Sequence, residues 1–303
     1  MTHRATNLFL LLLFTSQLAA QYQIGLVPRV SPDRAVYQKI GYTEVEVRYG
    51  SPAVRGRDIW GELVPYDNLW RAGANSATTV EFSQPVRVKG MPLDSGQYAL
   101  FVLPRENDVW TVLFNSNAQQ WGAFRHDPAK DVLRVDLIPR RTNLHQEHLT
   151  YHLRQVGYRY GSIVLQWEHY ELEIPFQTDY LDLFEREVET RAAAQPEYLR
   201  WIVLLQGAEH LQEMGTKQEV ARSWLDRAER LEATHSEWNE QFYPREYVLG
   251  HLYWTKAKVL AETGDLAEAT NYGTKMKQLS NPIFYERKQE AEQIEALLKL
   301  WQQ

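Results

Sequence analysis

The apolar residues of this chain change their spacing near residue 179, and that change limits the folds open to it. From about Thr43 to Phe176 they alternate. Glu44-Val45-Glu46-Val47-Arg48-Tyr49, Thr79-Val80-Glu81-Phe82, Val132-Leu133-Arg134-Val135-Asp136-Leu137 and Glu171-Leu172-Glu173-Ile174 each put apolar side chains on one face of an extended segment. Turn residues interrupt them at short intervals, as in Lys89-Gly90, Asp94-Ser95-Gly96 and Asp127-Pro128. Eight or nine short strands with no helix between them predict an antiparallel β-sandwich. From about Asp179 the apolar positions recur every three or four residues: Tyr198, Ile202, Leu205, Ala208 and Leu211, then Trp254, Ala257, Leu260 and Ala261. Pro196, Pro244 and Pro282 stand where helices begin, and Gly215 and Gly264 where they end. The expected fold is therefore α+β and multidomain, with a β-sandwich over 41–178 and an all-α domain of helical hairpins over 179–303.

Two domains also suit a chain of 303 residues. At the N-terminus, His3 and Arg4 precede the apolar run Leu8 to Phe14 and then Ser16-Gln17-Leu18-Ala19-Ala20. That order predicts a secretory signal over 1–20, cleaved after Ala20 and followed by a linker over 21–40. The sequence contains no cysteine. Disulfides, thiolate nucleophiles and a lipidated cysteine at the cut are thereby excluded. The expectation is a soluble exported protein, periplasmic or extracellular, that is not a lipoprotein and has no membrane span once the signal is removed.

Charge divides at the same boundary. Residues 21–180 carry 17 Lys+Arg against 18 Asp+Glu, and residues 181–303 carry 15 against 21. Neither half is basic enough to follow a nucleic-acid backbone, so no nucleic-acid partner is expected. Of the 17 cations in the strand half, 14 are arginine, whose planar fork suits paired or partly buried positions. That bias fits anion or sugar recognition, and it fits Arg–carboxylate pairs that tie loops to a sandwich.

One long connection stands out: Arg55-Gly56-Arg57-Asp58-Ile59-Trp60-Gly61, Leu63-Val64-Pro65-Tyr66 and Leu69-Trp70-Arg71-Ala72-Gly73-Ala74-Asn75. It is too apolar to lie idle in solvent and should pack back on the sheets. With Ser51-Pro52, Gly96-Gln97-Tyr98-Ala99-Leu100-Phe101 before Pro104, and Trp121-Gly122-Ala123-Phe124 before Asp127, it resembles the exported bacterial family known as domain of unknown function 2911, over about 29–176. The resemblance implies no activity. After it, an alanine at 257 and one at 269 on either side of Gly264-Asp265, closed by Pro282, resemble a degenerate tetratricopeptide helix pair.

The candidate ligand-binding residues are Arg55, Arg57, Trp60, Trp70, Arg71, Asn75 and Trp121, as donors framed by flat aromatic faces that suit a carbohydrate or peptide. The competing reading makes Arg71 and Asn75 ties to main-chain carbonyls and the tryptophans core. His148 and His152 have i, i+4 spacing, but on a strand they lie about 13 Å apart, too far for one metal. No metal and no cofactor are expected. Phosphate-loop, nucleophile-elbow and dinucleotide motifs are absent. Asp58, Glu62, Asp67 and Glu81 are the carboxylates to check for a glycosidase pair. The sequence thus favours a non-catalytic binding or scaffolding protein, with a protein partner on the helical domain. The alternative is a periplasmic hydrolase acting on glycans or cell-wall material through loop carboxylates.

Overall fold

Ten strands fill the first part of the chain, and their alternation explains how they pair. In a computed structural model that describes residues 28–234, 244–279 and 288–302, they form two antiparallel sheets. The first has six strands in the order β1 (Asp33–Ile40), β2 (Thr43–Gly50), β3 (Ala74–Phe82), β6 (Gly96–Leu103), β7 (Trp110–Asn115), β8 (Asp131–Leu137). The second runs β5 (Met91–Leu93), β4 (Val86–Val88), β10 (Tyr160–Thr178), β9 (Arg140–Val156). Val45, Val47, Val80, Phe82, Leu100, Val102, Val112 and Phe114 line one face of the larger sheet and are fully or almost fully buried. Leu149, Ile163, Leu165, Trp167, Leu172 and Ile174 meet them from the smaller sheet. The opposite residues, such as Glu46, Arg48, Thr79, Glu81 and Gln97, share the outer face of the large sheet.

Of the stretch 21–40, expected to be a linker, residues 21–27 lie outside the described residues and the last eight are corrected by the structure. Residues 33–40 form β1, paired with β2 along its whole length from Asp33↔Gly50 to Ile40↔Thr43. As an edge strand β1 leaves most of its side chains in solvent, so Arg34, Gln38 and Lys39 hid the alternation. The strand count also exceeds the expected eight or nine, because β1 and the three-residue β5 join the set, whereas Val86–Val88 forms β4 as its alternation implies.

Six helices follow among the described residues: α1 (Tyr180–Ala194), α2 (Glu197–Glu213), α3 (Gln218–Thr234), α4 (Arg245–Glu262), α5 (Leu266–Gln278) and α6 (Lys288–Trp301). The chain divides into two compact units between Tyr180 and Leu181. Pro196 and Pro244 occupy the N-cap positions of α2 and α4. Gly215 and Gly264 follow α2 and α4 at φ of 62° and 89°, the left-handed conformation that ends a helix. α2 and α3 bury Trp201, Leu205, Ala208, Ala221, Trp224 and Ala228 against one another. α4 and α5 bury Ala257, Leu260, Ala269 and Tyr272. Pro282 and the segment 1–20 lie outside the described residues. No described helix is long and apolar enough to cross a membrane.

Candidate functional site

The long connection after β2 packs as its composition demands, and its aromatic residues become core. Trp60 sits among Trp70, Trp110, Trp167 and Tyr170, with ring centroids 4.6–6.0 Å away. Trp70, Trp110 and Trp167 are 9 %, 1 % and 1 % exposed. The Trp70 indole donates to the Gly73 carbonyl at 3.1 Å, and that of Trp110 to the Arg105 carbonyl at 3.0 Å. Each ring buries on the order of 200 Å², so this cluster is a large share of what holds the sheets together.

Of the candidate arginines of this connection, Arg57 serves it as a side-chain tie. Arg57 donates to the carbonyls of Val54 (3.0 Å) and Ala53 (2.5 Å). The backbone N–H of Arg55 donates to Glu147 of β9 at 2.9 Å. Tyr151 and Thr78 hydroxyls both donate to the Ala72 carbonyl, at 2.8 and 2.9 Å, and fix the turn that carries Arg71. Arg71 itself has a buried Nε with no hydrogen-bond partner, and burial lowers its pKa. The seven residues therefore do not converge: Trp60 and Trp70 belong to the core, Arg57 and the backbone of Arg55 brace the connection, Arg71 keeps a buried Nε without a partner, and only Trp121 lines a surface feature, whose walls Asn75 supports.

That feature is a groove of about 720 Å³ on the outer face of the large sheet. Its floor is Ala35, Arg48, Ala77, Thr79 and Gln97, contributed by four adjacent strands. One wall is the segment from Arg29 to Arg34, and the other is the loop from Ala118 to Arg125 with Trp121, which is 48 % exposed. Asn75 ties both walls to the sheet. Its side chain donates to the Ser31 carbonyl at 2.9 Å, and its carbonyl accepts from Gly122 at 3.4 Å. The neighbouring Ala77 N–H donates to the Gln120 carbonyl at 2.9 Å, and Ser76 bridges to Trp121. Asn75 adopts φ 64°, which asparagine tolerates better than most residues. Opposite it, a Cβ on Gly50 would stand 2.3 Å from the Ala74 carbonyl oxygen, so only glycine permits this close approach.

The Trp121 wall is braced from below. Asn115, fully buried, donates to Asp131 (2.7 Å) and to the Asp127 carbonyl (3.0 Å). Its own carbonyl oxygen accepts from the Asn117 N–H (3.1 Å) and the Gln120 amide (3.3 Å). Asp131 also takes bonds from His126 and Arg134, both at 2.7 Å. Burial works to raise its pKa, but the hydrogen bonds from Asn115, His126 and Arg134 outweigh it and hold the carboxyl below the ordinary carboxylate range.

Electrostatically the groove is cationic. Arg29, Arg34, Arg48 and Arg125 line it against one carboxylate, Asp33. Arg29 is bound to Asp33 at 3.3 Å and lies 5.3 Å over the Trp121 ring. Arg48 is bound to Glu46 at 2.7 Å. None of Asp58, Glu62, Asp67 and Glu81 lines the groove, although Glu81 sits at the register position beside it, opposite Glu46. His148 and His152 lie on β9, as their flanking alternation implies, and among the described residues no group of three His, Asp or Glu side chains is arranged for a metal. The groove-forming Arg29, Arg34, Arg48, Arg125 and Gln120 were not singled out by sequence. The signal that pointed to them was the arginine bias of the strand half.

Residues 31–176 match the family model described as Protein of unknown function (DUF2911), a span that takes in β1. No curated protein and no solved structure matches the chain.

Proposed function

The strand-rich unit belongs to that family of unknown function, and from its groove we propose that it is an exported, non-catalytic binding module for an anionic ligand. The observation that carries this reading is the four-to-one excess of arginine over carboxylate around one groove, framed by a half-exposed indole. Arginine forks bind carboxylates and related anions through paired hydrogen bonds. A groove of this volume falls in the range of ligand sites. The usual glycosidase mechanism needs two flanking carboxylates, and the groove lining supplies Asp33, which Arg29 already engages. The signal-like segment before residue 21 supports export to the periplasm or cell exterior. Helix pairs α2–α3 and α4–α5, with their tetratricopeptide-like spacing, are read as the docking unit for a protein partner.

The test is a backbone-amide NMR titration of the chain from residue 21 with anionic polymers, polyglutamate and oligouronides among them. Shifts should concentrate at Arg48, Thr79, Gln119 and Trp121, and Arg48→Ala should weaken them. Shifts confined to the helical unit overturn the reading. So does hydrolysis of a polymer that stops on Glu81→Gln.

A further inference from the structure

Resting on the groove as a binding site for anions, we infer that its ligand is a carboxylated oligosaccharide of the uronate type, with a hydroxyl read by Gln120. The floor supplies the first argument. Its apolar members are alanines, Ala35 and Ala77, with Thr79 between β2 and β6, so the floor presents small side chains and no large apolar one. Peptide recognition draws its specificity from such side-chain pockets. A sugar ring needs instead a flat surface, amide groups at its edge and an indole for its face. Gln97, Gln119 and Trp121 are placed around the floor accordingly.

Gln120 supplies the second argument. It is 6 % exposed, and both of its amide hydrogens are committed, to the Asn117 carbonyl at 2.7 Å and to Asn115 at 3.3 Å. Both partners are acceptors, which fixes the orientation of the amide. Its carbonyl oxygen is then a buried acceptor with no donor, the one such side-chain atom among the described groove residues. Leaving a buried acceptor unsatisfied costs about 1–3 kcal/mol, a cost relieved by any ligand that brings a donor there. A carboxylate cannot do so, because it only accepts; a hydroxyl can. Gln120 lines the groove, so a hydroxyl seated in it is the donor that this oxygen lacks. The ligand must therefore present carboxylates to the arginines and hydroxyls to Gln120, and uronate oligomers carry both on every residue.

Third, the cations flank the floor from two sides. Arg34 and Arg48 sit on the neighbouring strands β1 and β2 and Arg125 on the far wall, an arrangement that suits charges repeated along a chain.

Isothermal titration calorimetry on the chain from residue 21 tests this with three probes: uronate tri- to hexasaccharides, the same oligomers with their carboxyls reduced to alcohols, and hexaglutamate. The uronates should bind, and carboxyl reduction should weaken binding at least tenfold, as should Arg125→Gln. Gln120→Met should weaken uronate binding several-fold while leaving hexaglutamate unaffected. If hexaglutamate binds as well as the uronates, the sugar assignment is overturned and the anionic groove stands. If neither binds, both fall. Should Gln120→Met disturb the loop, the comparison of the three probes on the unaltered chain still decides.

Discussion

In the strand unit one buried ionic hub is an anion, Asp131, with a side chain 3 % exposed and donors from Asn115, His126 and Arg134, and Glu171 is a second. In the helical unit it is a cation, Lys256, 7 % exposed, held by Asp226 at 2.7 Å and Glu229 at 2.6 Å, with the Tyr272 ring 4.5 Å away. The difference shows how each unit uses its charge. The strand unit, nearly neutral in sum, gathers arginines around one groove and leaves them with a single lining carboxylate. In the helical unit cations knit helix to helix: Lys217 to Asp182 and Glu185, Arg227 to Glu189, Arg245 to Glu232. Charge there is spent on architecture, whereas in the strand unit part of it faces a ligand-sized space.

The strongest way to break this comparison is to remove the aromatic support behind the connection. Trp110→Ala deletes a ring 1 % exposed that stacks on Tyr170 and contacts Trp60, and it frees the Arg105 carbonyl. The expected cost is about 3–5 kcal/mol. It should appear as lost hydrogen-exchange protection of the β6 and β7 amides. A cost below ~1 kcal/mol would mean that the tryptophan cluster is loosely packed.

Next comes Lys256→Met in the helical unit. Removing one partner of a buried pair costs about 3–5 kcal/mol, but Asp226 and Glu229 keep 38 % and 29 % of their side-chain surface, so roughly 2–3 kcal/mol is expected. Urea unfolding followed by helical ellipticity measures it. Adding Glu229→Gln should recover part of the loss. Burial of Lys256 lowers its pKa, yet the bonds it donates to Asp226, Glu229 and Tyr272 prevail and raise it. Its contribution is thus complete below the ordinary lysine value of about 10.4 and disappears as pH rises through the higher folded value.

Asp131 has the opposite sign. Its folded pKa lies below the unfolded one, so its stabilisation is present above about pH 4 and is lost as pH falls through the folded value. Asp131→Asn should remove about 2 kcal/mol at pH 7, through the charge-assisted bonds from Arg134 and His126. It should also flatten the acid limb of the stability curve. An unchanged acid limb would show that the hub does not govern acid unfolding.

These sites mark how far the sequence could be read. The two periodicities located the two units, because burial on one sheet face or helix stripe writes itself directly into residue order. The edge strand β1 escaped, since only one face of it meets protein and its side chains are mostly exposed. Within the long connection, Trp60, Trp70 and Arg57 read as ligand groups or as packing, and their contacts place them in packing. The groove itself was hidden for a different reason. Arg29, Arg48 and Arg125 lie 19 and 77 residues apart in sequence and meet only because β1, β2 and β3 align and the Trp121 loop folds over them. Trp121, the one candidate that lines the groove, and Asn75, which supports its walls, sit at the points where that loop joins the sheet.

The smallest expected effect is the most informative about the comparison. Arg48 is 63 % exposed in its pair with Glu46, and exposed ion pairs contribute ~0–1 kcal/mol. If the groove arginines serve recognition and not architecture, Arg48→Ala should move the unfolding midpoint by no more than about 0.5 kcal/mol equivalent. Arg57→Ala is the control, because it removes the side-chain donor to the Ala53 carbonyl and leaves the Val54 carbonyl with only the backbone N–H of residue 57, and it should cost about 1–2 kcal/mol. Chemical unfolding of both variants at one salt concentration provides the contrast. Equal costs would place Arg48 among the braces with Arg57, and the excess of cations around the groove would then reflect structure in the strand unit as it does in the helical one.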